Sequence, residues 1–423
     1  MQEIALTNER IDEKTLEQEL HKWLGSFTSP LRKVLLLPPD VTRFHSKAGL
    51  IVQLLYKALQ REAKVEIMPA LGTHIPMSAE ERTLMFGTEI PAECFLVHDW
   101  RNDVVKIGEV PGDFVAEVSG GLVSYPIGVE VNRRLIDPSY DLIVSIGQVV
   151  PHEVVGMANY SKNIFVGCGG QDIINKSHFL GAAYGMEKMM GRDDTPVRKV
   201  FDYAEEHFLG AIPLQYILTV TTTKGDVTSI NGLFIGRDRQ LFTAAVRESQ
   251  RRNLDLLDQP LKKVVVYLDP GEFKTTWLGN KAVYRTRMVI ADEGELLILA
   301  PGLKQFGEDP QIDQLIRKYG YVGSQRVLAL VEEHEDLKHN LSAAAHLIHG
   351  SSEGRFRITY APGQVSGEEI EQVNFGYLPL TEALEKYNPA KLKNGFNTMA
   401  DGEEIFYISN PALGLWALKE KFQ

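Results

Sequence analysis

Four short, mostly apolar runs limit what this chain can fold into. Lys33-Val-Leu-Leu-Leu37, Val65 to Leu71, Leu142-Ile-Val-Ser-Ile146 and Lys262-Lys-Val-Val-Val-Tyr-Leu268 each stop at or near Pro, Gly or Asp. Continuous rather than alternating apolarity suits a parallel strand buried on both faces. Helical spacing separates the runs. Leu16, Leu20, Trp23 and Leu24 fall at i, i+4, i+7 and i+8, and Leu50, Ile51, Leu54, Leu55, Ala58 and Leu59 share one stripe. The predicted fold class is therefore α/β, with two α/β domains built on mainly parallel sheets.

A chain of 423 residues is long enough for two cores. Gln259-Pro260 marks the predicted boundary, giving an N-terminal domain over 1–258 and a C-terminal one over 259–399. After it, Glu295 to Ala300, Gln311 to Tyr319, Gln325 to His334, Ser342 to His349 and Phe356 to Tyr360 read as alternating strands and helices. In the first domain, Cys94 to Val97 reads as a strand. Val104 to Val131 reads as antiparallel strands appended to the sheet, with Gly120-Gly121 as their turn. Ser78-Ala-Glu-Glu81 is a capping box, and Asp194-Thr-Pro196 opens a helix to about Phe208. Leu214 to Thr221 and Val227 to Ile235 are strands around a Lys224-Gly225-Asp226 turn, followed by a helix from Arg237 to Asn253.

Composition removes several classes of function. Forty-five Lys and Arg against 56 Asp and Glu leave a net charge of −11, which argues against nucleic acid as the main partner. Two cysteines, Cys94 and Cys168, imply no disulfide framework. The first twenty residues lack an apolar core, and no run approaches a membrane span, so we expect a cytoplasmic protein without a membrane partner. No Gly-x-Gly-x-x-Gly follows a strand, so the dinucleotide fingerprint is absent.

The chemistry gathers where predicted strands end. Beyond Leu142–Ile146 lie His152, Lys162 and His178, with Gly156, Gly167, Gly169 and Gly170 among them. Open α/β sheets bind ligands at the carboxyl ends of their strands. A lone histidine there is more often structural, and a lone lysine solvated. Two imidazoles and an amine on one glycine-bearing segment are harder to dismiss. The first strand is followed by Asp40-Val-Thr-Arg43, where Arg43 either binds an anion or pairs with Asp40. The second is followed by Gly72-Thr-His74. The pair His98-Asp99 reads as a loop-end hydrogen bond. His346 and His349 share a helix face without an acidic or cysteine partner that a metal site requires.

These motifs resemble the lactate racemase family, racemases and epimerases that use a nickel-pincer nucleotide. Asp40-Val-Thr-Arg43 matches the family's Asp-x-Thr-Arg, Gly72-Thr-His74 its Gly-Thr-His, and the Pro151 to His178 segment its third region. The resemblance implies that His74 and His152 are the catalytic acid/base pair. It implies that Lys162 carries the cofactor covalently, a nickel pyridinium-3,5-bisthiocarboxylic acid mononucleotide, and that His178 is a nickel ligand. Asp40, Thr42 and Arg43 would contact the cofactor, and Arg43, Trp277 and Lys281 the substrate, in a cleft between the domains. Residues 400–423 would return to the first domain. The chain departs from the family at Ala158-Asn-Tyr-Ser161, Ile75 and Leu278.

A carbon-bound hydrogen beside a hydroxyl and a carboxylate is weakly acidic, so the family's route moves it as hydride to the cofactor. A base is needed on the hydroxyl at either face, and two histidines near pKa ~6.5 can exchange roles. The implied activity is an isomerase inverting C2 of a 2-hydroxy acid, with sugar acids such as aldonates or hexuronates favoured over lactate or malate. Its implied partners are that small-molecule substrate and the enzymes that mature the cofactor. A hydrolase using His74, His152 and His178 as metal ligands, and a sugar-acid binding protein without catalysis, stay open as other readings.

Overall fold

The computed structural model describes residues 3–224 and 227–422. Gly225 and Asp226 of the expected turn lie outside these. The chain divides into two compact units, Met1–Leu180 with Met189–Asn253, and Gly181–Lys188 with Leu254–Gln423.

The strands of the first unit are β1 (Ile4–Ile11), β2 (Lys33–Leu37), β3 (Lys64–Ile67), β4 (Val104–Val110), β5 (Ile127–Asn132), β6 (Leu142–Gln148), β7 (Pro151–His152), β8 (Gly156–Met157), β9 (Leu214–Lys224) and β10 (Val227–Gly236). Six of them form one sheet in the order β1-β10-β9-β6-β2-β3. The pairs β9–β6, β6–β2 and β2–β3 are parallel, while β10 runs antiparallel to both β9 and β1. The three apolar runs thus lie side by side at the parallel end, as their continuous apolarity requires. Val34, Leu36, Val144 and Ile146 pack with Leu16, Trp23, Ile51 and Leu55 from helices Glu13–Leu24 and Ala48–Leu59. Each such side chain contributes roughly 1.5–3 kcal/mol by leaving water.

The strands of the second unit are β11 (Asp255–Leu257), β12 (Leu261–Tyr267), β13 (Ile290–Ala300), β14 (Arg357–Pro362), β15 (Gly376–Tyr377), β16 (Gly395–Thr398), β17 (Glu404–Ile408) and β18 (Trp416–Leu418). Its main sheet, β15-β14-β13-β12-β17-β16, is parallel except for β16 against β17. The fold is mixed α/β with mainly parallel sheets, as the apolar runs predict.

Several expectations need correction. The segment 400–423 joins the second unit and not the first: β17 pairs with β12, and β18 with β11. The apolar run of β17 supplies a missing sheet neighbour, a non-local pairing that sequence order conceals. Residues 181–188 also belong to the second unit, and its main stretch begins at Leu254, ahead of Gln259-Pro260. Cys94 to Val97 is not a strand but the end of a short helical turn, Ala92–Cys94, with one bridge from Phe95 to Ile67. Gly120 and Gly121 end a helix, Gly112–Ser119, between β4 and β5. Those two strands form a two-stranded sheet of their own, with one further bridge from Val131 to Gly169.

Candidate active site

Because β6, β2 and β3 are adjacent and parallel, the loops at their carboxyl ends emerge along one edge. All three loops carry expected site residues. After β2, Asp40 caps a short turn, Val41–Ser46, its carboxylate accepting the Thr42 backbone N–H at 3.1 Å and hydroxyl at 2.5 Å. After β3 comes the His74 loop, and its Nδ1 lies 2.5 Å from Asp40 Oδ2. After β6, the chain makes the small hairpin β7–β8 around His152 and then the helix Ser161–Phe165, with Lys162 in its first turn.

Backbone hydrogen bonds tie the loops together. The Gly72 N–H donates to the Gly167 carbonyl at 2.8 Å, and the Ala70 N–H to Pro38 O at 2.7 Å. The side-chain amide of Asn163 adds to them, donating from Nδ2 to Leu37 O at 3.1 Å and to Ser145 Oγ at 2.9 Å, and so fastens the residue after Lys162 to β2 and β6. Gly156 must be glycine. Its φ is +88°, and a Cβ there would sit 2.1 Å from the Arg192 carbonyl.

Asp40 is buried. Burial opposes its charge, but hydrogen bonds from His74 and Thr42, with Arg43 nearby, outweigh it and hold the carboxyl below its ordinary range. The alternative Asp40–Arg43 pairing gives way to Asp40–His74, and among the described residues Arg43 forms no ion pair. His74 is more than half exposed, so its other nitrogen, Nε2, faces solvent-accessible space with its lone pair available.

His152 is buried, and its Nδ1 accepts the Val154 N–H at 3.2 Å. That bond places the proton of the neutral ring on Nε2. Burial first, then the positive Lys162 and Arg43, push its pKa well below the ordinary value, against Glu153, which pulls the other way. The expectation of an imidazole near ~6.5 therefore fails at His152, because desolvation was not visible in the loop sequence.

Lys162 forms no ion pair among the described residues, and its pKa is lowered to about 8. Burial dominates, Arg43 adds to it, and Glu153 and Asp40 oppose it. At neutral pH a useful fraction of such an amine is free and nucleophilic.

His178 lies on helix Gln171–Tyr184 and donates from Nδ1 to the Ile174 carbonyl at 2.6 Å. Its Nε2 is thereby left unprotonated, the tautomer that ligates a metal. Burial lowers its pKa to about 4. Among the described residues no three His, Cys, Asp or Glu side chains converge to hold a metal ion. His74, His152 and His178 do not form the ligand trio that the hydrolase reading needs. A single histidine donor beside a nucleophilic lysine fits a metal that arrives with its other ligands on a covalently bound cofactor.

Trp277 and Lys281 lie in the second unit, between β12 and β13, in the short helices Thr276–Gly279 and Lys281–Thr286. The Trp277 ring stacks on buried His346, centroids 4.5 Å apart. His346 Nε2 lies 2.9 Å from the Tyr321 hydroxyl, so this histidine supports the tryptophan. Lys281 Nζ lies 5.5 Å from the Phe273 ring centre.

Sequence reasoning missed the residues that hold the loops. His98, read from sequence only as a loop-end hydrogen bond beside Asp99, donates from Nε2 to Gly169 O at 3.1 Å and accepts Asn132 at Nδ1, 3.0 Å away, fixing the glycine turn before the His178 helix. Arg198 is fully buried and donates to Met157 O at 2.6 Å and Ser161 Oγ at 2.8 Å. The one sequence signal for it is an arginine inside the apolar stripe Val197, Val200, Phe201, Ala204.

Residues 3–190 match the lactate racemase N-terminal domain. The lactate racemase of Thermoanaerobacterium thermosaccharolyticum is 25% identical over 211 residues, 48% of this chain and 45% of that protein. The matched stretch thus spans just under half of that relative. A crystal structure of a protein from Thermotoga maritima superposes with a TM-score of 0.82 at 25% identity, covering 98% of this chain and 100% of its own. The lactate racemase apoprotein structure from T. thermosaccharolyticum shares the fold, with a TM-score of 0.73 at 16% identity over 98% and 95% of the two chains. No helix among the described residues is long and apolar enough to cross a membrane. Residues 3–190 thus resemble the N-terminal domain of the lactate racemase family, and the chain shares the fold of the lactate racemase apoprotein.

Proposed function

We propose that this protein is a racemase or epimerase that inverts C2 of a 2-hydroxy acid, an isomerase working with a nickel-pincer nucleotide attached at Lys162. The observation that carries the reading is the meeting, along one sheet edge, of an Asp40–His74 dyad, a neutral His152, a lysine of lowered pKa and a histidine whose Nε2 is free. When bound, the cofactor supplies a reversible acceptor for the hydride at C2.

The chain's own residues supply the rest. Arg43, unpaired among the described residues, offers the fork that a carboxylate fits. His74 takes the hydroxyl proton at Nε2, while Asp40 fixes its tautomer and balances the imidazolium that forms. His152 presents an Nε2–H to an oxygen on the substrate. His178 offers Nε2 to the nickel, and Lys162 the amine for the covalent link. The narrower substrate class is a sugar acid, an aldonate or hexuronate, supported by Ala158 to Ser161 and Leu278 where the wider family differs.

The test is a screen of 2-hydroxy acids deuterated at C2, using protein co-expressed with the cofactor-maturing enzymes. Inversion with the label largely kept is the expected result. Complete loss of label to solvent, or no inversion of any 2-hydroxy acid by loaded protein, would sink the reading.

A further inference from the structure

The segment leading into Lys162 adopts a backbone that its residues disfavour. Asn159 and Tyr160 have φ of 68° and 56°. Tyr160 combines this with ψ of −138°, near a region that glycine alone occupies readily. Two such residues in succession persist only where surrounding structure dictates them.

Here three anchors do so. The guanidinium of Arg198, fully buried and 4.4 Å from the Phe242 ring centre, donates to Met157 O at 2.6 Å and to Ser161 Oγ at 2.8 Å. The same fork reaches Asn159 O at 3.3 and 3.4 Å, so it spans the strained pair from both sides. The Tyr160 ring packs 4.3 Å from Tyr216 and stacks 5.0 Å from Phe242, and its hydroxyl donates to Arg237 O at 3.0 Å. The Asn159 side chain accepts the Tyr160 N–H at 2.7 Å. Lys162 follows two residues on, with Asn163 already fastened to β2 and β6. The backbone on either side of Lys162 is thus held, from the loop behind and from the helix ahead.

We propose that Tyr160 and Arg198 are positioning residues, a clamp that spends packing and hydrogen bonds to keep the Lys162 amine in its buried setting. The proposal rests on the reading of Lys162 as the attachment residue, and deepens it. If the clamp loosens, water reaches the amine and its titration moves back toward that of an ordinary lysine.

The experiment uses the full-length protein without cofactor. Acetic anhydride labelling across about pH 6 to 11, read by mass spectrometry of the Lys162 peptide, gives that amine's titration midpoint. The wild type is expected near pH 8. Tyr160→Phe keeps the ring and should keep the midpoint. Tyr160→Gly, which relieves the backbone but removes the anchor, should raise it by about one unit, leaving about tenfold less free amine at a given pH below the midpoint. Arg198→Lys keeps the charge but loses the fork and should do the same. Thermal melts identify which variants are folded, and Tyr160→Gly is the one least burdened by strain. A wild-type midpoint in folded Tyr160→Gly or in folded Arg198→Lys overturns the clamp. Absence of cofactor mass on wild-type protein would end the attachment reading instead, and leaves this measurement unaffected.

Discussion

His74 Nδ1 lies 2.5 Å from Asp40 Oδ2, although 34 residues separate the two in the chain. The contact ties the loop after β2 to the loop after β3, and it leaves His74 Nε2 as the only ring nitrogen able to accept a proton. Replacing Asp40 with asparagine keeps the shape but no longer fixes the tautomer. We expect activity of the loaded protein to fall about 10²–10⁴-fold, the range typical for a positioned acid/base group. Steady-state kinetics on whichever 2-hydroxy acid is turned over gives the answer, and a loss below about fivefold would mean the dyad is structural.

The same carboxylate has a consequence for stability. Its folded pKa lies below its unfolded value of 3.8, so the folded state gains from its charge above that pH. The gain disappears as pH falls through the folded pKa. Asp40→Ala should therefore be less stable than wild type by roughly 1–3 kcal/mol at neutral pH. Urea melts in acid should show that gap closing below about pH 4.

Lys162 should behave in the opposite sense. Its folded pKa of about 8 lies below the ordinary 10.5, so the buried charge weakens the fold wherever both states are protonated. The penalty is full below about pH 8 and relaxes as pH rises toward 10.5. Lys162→Met should melt at a higher temperature than wild type at pH 7, with the difference shrinking by pH 10. The same variant should gain no cofactor mass in cells that express the maturation enzymes. An identical mass increase in variant and wild type would exclude Lys162 as the attachment point.

His98 and His346 are neutral when folded. Burial is the first cause in both, and it takes His346 down to about 3. A lowered histidine pKa contributes stability that is present above the unfolded value of 6.5 and is lost as pH falls below it, because the unfolded chain takes up the proton first. Thermal stability should thus decline from about pH 6.5 downward, earlier than carboxylate titration alone would dictate. In His346→Leu that decline should be shallower. Trp277 fluorescence should also change, since the stacked ring is gone. An unchanged slope between pH 6.5 and 5 would remove His346 from the account.

His178→Ala should carry less nickel than wild type after co-expression with the maturation enzymes, measured by metal analysis of purified protein. Nickel content and activity both equal to wild type would rule out the ligand role.

The sequence determined more of this protein than its modest identity to relatives suggests. Apolar runs such as Lys33–Leu37 and Leu142–Ile146, alternating with amphipathic helices, suit strands of a parallel sheet covered on both faces, so the α/β class followed from local patterning. That Asp40, His74 and His152 would lie beyond the carboxyl ends of three strands was legible, because the apolar runs show where those strands stop. Three matters were settled only by tertiary structure. Residues 404–408 add to the second sheet because their hydrogen-bonding partner is β12, roughly 140 residues earlier, and no local pattern reports such a pairing. The pKa values of His152 and Lys162 were hidden, since desolvation depends on what packs over a group and not on its neighbours in sequence. The support for Lys162 was hidden as well. Arg198 lies in sequence on a helix some forty residues away, and only the fold brings its guanidinium against the carbonyls of Met157 and Asn159, where it joins Tyr160 and Asn159 in holding a strained turn.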